Sequence, residues 1–74
     1  MIKKMNEMKA KQAGVIKEFK SLSKDNLRKL LALDLVPGTS IEIIARHPTF
    51  VIRSSYSEVA IDNLLASEIE VDCK

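Results

Sequence analysis

The sequence predicts a mainly β protein, a small antiparallel barrel with one main helix inserted after the first strand. Its 74 residues allow one domain only, which we take to span residues 1–74. Apolar residues recur at helical spacing before Pro37-Gly38 and at every second position after it. The strands after this switch lie too close together in sequence for helical crossovers, so the sheet is expected to be antiparallel and to curl into a barrel.

The N-terminal part begins with a segment that we expect to be frayed or only partly ordered. Met5 and Met8 are three residues apart and can share one face of a helical turn. A short extended run then follows Gly14. Because Ile16 and Phe19 cannot both face inward in a regular strand, a bulge is expected between them.

Residues 21–34 are the one convincing helix. Ser23 is placed to cap it, and Asp25 lies in the first turn, where negative charge is favoured. The helix ends before Pro37-Gly38, which begins a turn. An apolar stripe at helical spacing is predicted to face the core, and it consists of Leu27, Leu30 and Leu31.

The remaining strands follow the turn in close succession. Further strands are predicted at residues 41–45, 50–53, 58–62 and 69–73, with a turn at 54–57 and a single helical turn at 62–65. Together with the run after Gly14 this makes five short strands and one helix. The expected architecture is an SH3-like barrel.

The chain shows no catalytic pattern, and we predict that it is not an enzyme. His47 is the only histidine and lies beside Pro48 in a predicted loop, and no Ser or Cys nucleophile has an obvious base and orienting acid near it in sequence. The two glycines cannot build a glycine-rich phosphate loop. One Tyr and two Phe provide few stacking platforms, and no element carries a concentrated basic face, so nucleic acid is not an expected partner.

A tight metal site is not predicted either. Such a site needs about three or four convergent ligands. The soft ligands here are His47, Cys73 and the thioethers of the three methionines, and neither Cys-x-x-Cys nor His-x-x-x-His occurs. We therefore expect no cofactor.

The sequence favours a cytoplasmic protein. No stretch approaches the ~20 apolar residues of a membrane helix, so direct membrane insertion is not expected. The basic start of the chain has no apolar segment behind it and does not resemble a signal peptide. Cys73 is unpaired, whereas a small extracellular domain usually carries paired cysteines.

Charge is distributed unevenly along the chain. Residues 1–29 hold nine Lys and Arg against three acids, and residues 30–74 hold three against seven. Charge runs usually form a solvated surface, but a basic N-terminal third can also meet an acidic partner, a membrane surface or nucleic acid.

Residues 30–43 resemble the signature of FeoA-type domains, in which a helix runs into Leu-Gly-Leu-x-Pro-Gly and then a strand. The motif residues are Leu33, Leu35, Pro37 and Gly38. The resemblance extends over about residues 5–72. Asp34 departs from it by standing where the family usually has glycine, although aspartate tolerates the left-handed region better than most residues. The motif itself has structural roles and requires no ligand chemistry.

The resemblance implies a cytosolic accessory protein of ferrous iron transport, in a family associated with transition-metal ion binding. Its implied partner is the cytosolic GTP-binding region of a FeoB-type membrane transporter. The alternatives are the SH3-like domain of an iron- or manganese-responsive repressor, disfavoured here because no helix-turn-helix domain precedes the barrel, and a general interaction module. Homo-oligomerisation stays open. The candidate partner contacts are Lys9, Lys11, Lys17, Lys20, Phe50 and Tyr56.

Overall fold

The protein is described by a computed structural model that covers residues 1–55 and 57–74. These residues form six strands, two α-helices and one 3-10 turn. In chain order they are β1 (Ile2–Lys4), the 3-10 turn (Met5–Glu7), β2 (Ala13–Phe19), α1 (Lys24–Ala32), β3 (Ser40–Ala45), β4 (Phe50–Arg53), β5 (Glu58–Ile61), α2 (Asn63–Ser67) and β6 (Ile69–Cys73). The predicted class, mainly β with one main helix, is confirmed.

All six strands belong to one antiparallel sheet in the order β1-β6-β2-β3-β4-β5. The order leaves β1 and β5 at its two ends, so the sheet is barrel-like rather than closed. The predicted bulge is confirmed as a shift in the β2–β6 register between Ile16 and Glu18. Side chains from β2, β3, β4, β5 and β6 converge on a single apolar core, together with residues of both helices and the N-terminal segment.

The N-terminal segment is ordered, and the expectation of a frayed start is wrong. β1 pairs with β6, with Lys3 opposite Val71. Met5 and Met8 are both fully buried, as the shared face of a helical turn predicts. The sequence prediction had no strand at residues 2–4 and so placed the main helix after the first strand. With β1 counted, the helix follows the second strand.

α1 begins where the sequence predicts. The Ser23 side chain accepts a hydrogen bond from the Asn26 amide at 3.1 Å, which satisfies one of the free amides of the first turn. The predicted core stripe is only partly correct, because Leu30 is fully buried while Leu27 and Leu31 are exposed. The helix contributes a single fully buried side chain to the core.

The end of α1 is a Schellman motif. The Leu35 amide donates to the Leu30 carbonyl at 2.9 Å, and the Asp34 amide donates to the Leu31 carbonyl at 3.1 Å. Asp34 adopts the left-handed conformation that the motif needs, with φ of 58°. Both Leu30 and Leu35 are buried, which provides the apolar contact that commonly accompanies this cap.

A second turn follows directly and fixes the start of β3. The Thr39 amide donates to the Val36 carbonyl at 3.0 Å across Pro37 and Gly38, and Gly38 has φ of +96°. This is the geometry of a type II turn, which favours proline and then glycine at its two central positions. The Gly38 amide also donates to the Ile16 carbonyl at 2.8 Å, so the turn is attached to β2.

The strands after the turn follow the predicted two-residue period. Ile41 and Ile43 are buried on β3, and Ile61 is buried on β5 with Val59 packed against the core. β6 buries its alternate residues Ile69, Val71 and Cys73. The predicted helical turn is α2, which Asp62 caps by accepting a hydrogen bond from the Leu65 amide at 2.6 Å.

Candidate functional site

Four lysines were predicted to contact a partner, and all four are exposed to solvent. Lys9 and Lys11 lie between the 3-10 turn and β2, Lys17 lies on β2, and Lys20 follows that strand. Lys20 differs from the other three because its Nζ lies 3.0 Å from Glu18 Oε1. This hydrogen bond raises the pKa of Lys20 and lowers that of Glu18, so the positive charge of Lys20 is partly balanced within the protein.

Phe50 is unsuited to the contact role that the sequence suggested. Its side chain is 4% exposed and belongs to the core. The Arg46 guanidinium lies over its ring, 5.5 Å from the centroid, in the geometry of a cation–π contact. Because the first residue of β4 points inward in the sheet, Phe50 holds the fold together and leaves little surface for a partner. Tyr56, the other aromatic candidate, lies outside the described residues.

A cleft of about 410 Å³ opens beside Arg46. Its lining consists of Arg46, His47, Pro48, Thr49, Phe50, Asp62 and Asn63. The Arg46 side chain is fixed at the cleft by donating to the backbone carbonyl of Asn6 at 3.0 Å. The cleft brings together one cation, one carboxylate and several neutral polar groups.

The candidate metal ligands occupy different environments. His47 is exposed in the loop between β3 and β4, whereas Cys73 is buried on β6. Met5 and Met8 direct their thioethers into the core. Among residues 1–55 and 57–74, no group of three or more His, Cys, Asp or Glu side chains is placed to hold a metal ion.

The four motif residues lie at the α1–β3 connection. Leu35 is buried and Leu33 is half-buried against the core, while Pro37 and Gly38 form the exposed turn. Through these contacts the motif connects α1 to β3. Its role as a structural motif, rather than a binding motif, stays a prediction.

The sequence reasoning missed one surface feature. Leu27 and Leu31 were assigned to the core, but they are 37% and 50% exposed. Helical spacing alone could not separate them from Leu30, because the three leucines lie within one broad stripe. The signal available was the pair of cations, Lys24 and Arg28, next to the two leucines on the helix.

These features define a small SH3-like domain with exposed lysines, two exposed leucines on α1 and one cleft beside Arg46. The FeoA domain profile matches residues 3–73, so the chain belongs to the FeoA domain family, which is related to ferrous iron transport. No curated protein matches the chain. Within residues 1–55 and 57–74, neither α-helix has the length and hydropathy of a membrane span.

Solved structures share the fold. A crystal structure of an iron uptake regulatory protein, FeoA, is similar with a TM-score of 0.90 and 24% identity, and the match covers 100% of both chains. FeoA of Stenotrophomonas maltophilia, a procaryotic SH3 domain protein complexed with zinc, is similar with a TM-score of 0.78 and 19% identity over 97% of this chain and 89% of that one. The structure of T. acidophilum IdeR is similar with a TM-score of 0.93 and 19% identity, over 99% of this chain but 34% of that one. At these identities the likeness shows the fold alone.

Proposed function

We propose that this protein is a non-enzymatic accessory factor of ferrous iron uptake that works in the cytoplasm by binding the cytosolic GTP-binding region of a FeoB-type transporter. The observation that carries the proposal is the family match over residues 3–73. It spans both the helix and the last strand, so the whole folded unit belongs to the family.

The surface supports a binding role. Lys9, Lys11 and Lys17 are exposed on the N-terminal half of the chain, which carries most of the positive charge. A standard protein–protein interface buries about 800 Å² on each partner, which a domain of this size can supply. Exposed cations accelerate the encounter with an acidic partner and lose that effect as salt screens them.

The test is a binding measurement with the transporter from the same organism. The isolated GTP-binding domain and the full-length transporter in nanodiscs are each titrated with the protein, with and without nucleotide. We expect saturable binding to at least one of them, and none to an unrelated GTP-binding domain as control. Absence of binding to both, up to high micromolar concentration, contradicts the proposal.

A second function is favoured by the likeness to T. acidophilum IdeR, in which the matching part is about a third of that chain. In this alternative the chain serves as the SH3-like domain of an iron- or manganese-responsive repressor. Co-purification from the native cell with the membrane fraction retained separates the two functions. Recovery of a transporter supports the first, and recovery of a DNA-binding protein in its place supports the second.

A further inference from the structure

The outward face of α1 combines two exposed leucines with two cations. Leu27 and Leu31 are one helical turn apart, so their side chains adjoin on the helix surface. Leu31 is half exposed, and Leu27 is exposed over more than a third of its surface. Leu30 is the buried residue of α1, whereas Leu27 and Leu31 both keep surface exposed to solvent.

Lys24 and Arg28 border the same face. At 100° per residue in an α-helix, Lys24 lies about 20° from Leu31 around the helix axis, and Arg28 lies about 40° beyond Lys24. Among the described residues neither cation forms an ion pair, unlike Lys20, which pairs with Glu18. The aliphatic parts of both side chains extend the apolar surface while their charged ends stay in water.

We infer that this face of α1, made by Leu27, Leu31, Lys24 and Arg28, is where the protein docks on its partner, and that the partner offers an apolar pocket bordered by acidic side chains. The inference rests on the proposed function and names the surface through which it acts. Apolar anchors at the centre with charges at the rim are the usual arrangement of a protein-binding patch.

Charge argues for a different protein as the occupant, and against a second copy of this chain. In a symmetric dimer through α1, the same patch forms both halves of the interface, so Lys24 and Arg28 of both copies would be gathered in one interface. An acidic partner places carboxylates there, and each cation then gains a partner that the fold itself does not provide.

The experiment compares Leu31→Gln with Leu64→Gln in binding to the isolated GTP-binding domain and to the full-length transporter. Leu64 lies on α2 and is 74% exposed, so its variant removes the same side chain from another surface. We expect Leu31→Gln to weaken binding by about tenfold or more, the change typical of losing an interface anchor, and Leu64→Gln to leave it within about twofold. Circular dichroism and thermal unfolding check that both variants keep the fold.

A second comparison tests the charged border. Arg28→Gln and Lys74→Gln remove the same charge, one from the α1 face and one from the exposed residue that follows β6. We expect Arg28→Gln to reduce the association rate and its dependence on salt more than Lys74→Gln does. Amide resonances of ¹⁵N-labelled wild-type protein give a readout without mutation, and those of α1 are expected to shift on addition of the GTP-binding domain while those of α2 stay.

The outcomes separate this inference from the function on which it rests. If the wild type binds and Leu31→Gln binds equally well, or if the shifts fall away from α1, the docking surface is wrong and the proposed function stands. If wild-type protein binds neither form of the transporter, both are wrong. A salt-sensitive self-association through α1 likewise overturns the choice of occupant.

Discussion

Two adjacent leucines of α1 have opposite environments, and their substitution separates core from surface. Leu30 is fully buried, so Leu30→Ala removes packed methyl groups and is expected to cost about 2–5 kcal/mol of unfolding free energy. Leu31 is half exposed, so Leu31→Ala is expected to change stability by only about 0.5 kcal/mol. Denaturant unfolding of both variants measures the difference. Equal losses would mean that the described orientation of α1 is wrong.

β6 passes so close to Gly14 that a side chain does not fit at this position. A Cβ at this position would lie 2.7 Å from the Asp72 carbonyl oxygen and 2.6 Å from Val71 Cγ1, so the neighbouring strand would have to move. Gly14→Ala is therefore expected to destabilise the protein by about 1–3 kcal/mol. Thermal unfolding is the measurement. The control is Lys17→Ala, on an exposed position of the same strand, and comparable melting temperatures for both variants would contradict the argument.

The sequence predicted these residues unequally well. Leu30 was assigned correctly to the core, because an apolar stripe at helical spacing usually packs against the core. Leu27 and Leu31 were misassigned, because the width of the buried side depends on how closely α1 approaches the sheet, and that distance is a tertiary property. Gly14 was expected to open the strand, whereas its contact with β6 depends on a pairing between residues far apart in sequence.

The connection from α1 to β3 depends on a residue in the left-handed region, and this position can be improved. Asp34 has φ of 58°, a conformation that costs a residue with a Cβ about 1–2 kcal/mol and costs glycine almost nothing. Glycine also loses more entropy on folding, by about 0.5–1 kcal/mol. Asp34→Gly is thus expected to stabilise the protein by up to about 1 kcal/mol.

Chemical denaturation is suited to detecting that gain. Asp25→Gly is the control, because Asp25 lies in the first turn of α1, where glycine adds freedom to the unfolded chain and removes a favourable negative charge. We expect the control to lose stability. A loss at Asp34→Gly as well would show that the aspartate side chain itself supports the turn.

At the scale of elements, the sequence located the regular structure well where its pattern was long. The Ser23 cap, the turn at Pro37-Gly38 and the strands after it were all predicted, because caps, turn residues and two-residue alternation are local signals. β1 was missed since three residues with one apolar side chain carry no period. Its place in the sheet comes from β6, which supplies the pairing that the N-terminal segment cannot specify alone.

For the molecule as a whole, the scattered soft ligands lead to a prediction about metal. His47 and Cys73 lie on different elements, and the described residues contain no cluster suited to a metal ion. A tight site requires about three or four ligands around one point. Anaerobic calorimetry with ferrous iron and with zinc is expected to show no tight stoichiometric binding. Submicromolar binding that disappears in His47→Ala or Cys73→Ala would contradict it.

Function was less predictable than fold. The family and the SH3-like architecture followed from a motif that spans a turn. The surface used for binding did not, because exposure depends on how the elements are assembled. Phe50 illustrates the difference, since the sequence pattern around an aromatic residue at the start of a hairpin strand fits a partner contact and a core position equally well. The structure buries Phe50 in the core.

The position of β6 between β1 and β2 has a consequence for how the protein is made. The Cys73 amide donates to the Met1 carbonyl at 2.7 Å, so β6 is held beside β1, the strand most distant from it in sequence. On the ribosome, β3, β4 and β5 can pair as they emerge because each neighbours the next in sequence. β2 has to wait with one edge open, and β1 with no partner at all, until β6 leaves the exit tunnel. β1 therefore pairs through contacts between residues about 70 positions apart, and such non-local pairing forms late because a long loop has to close first.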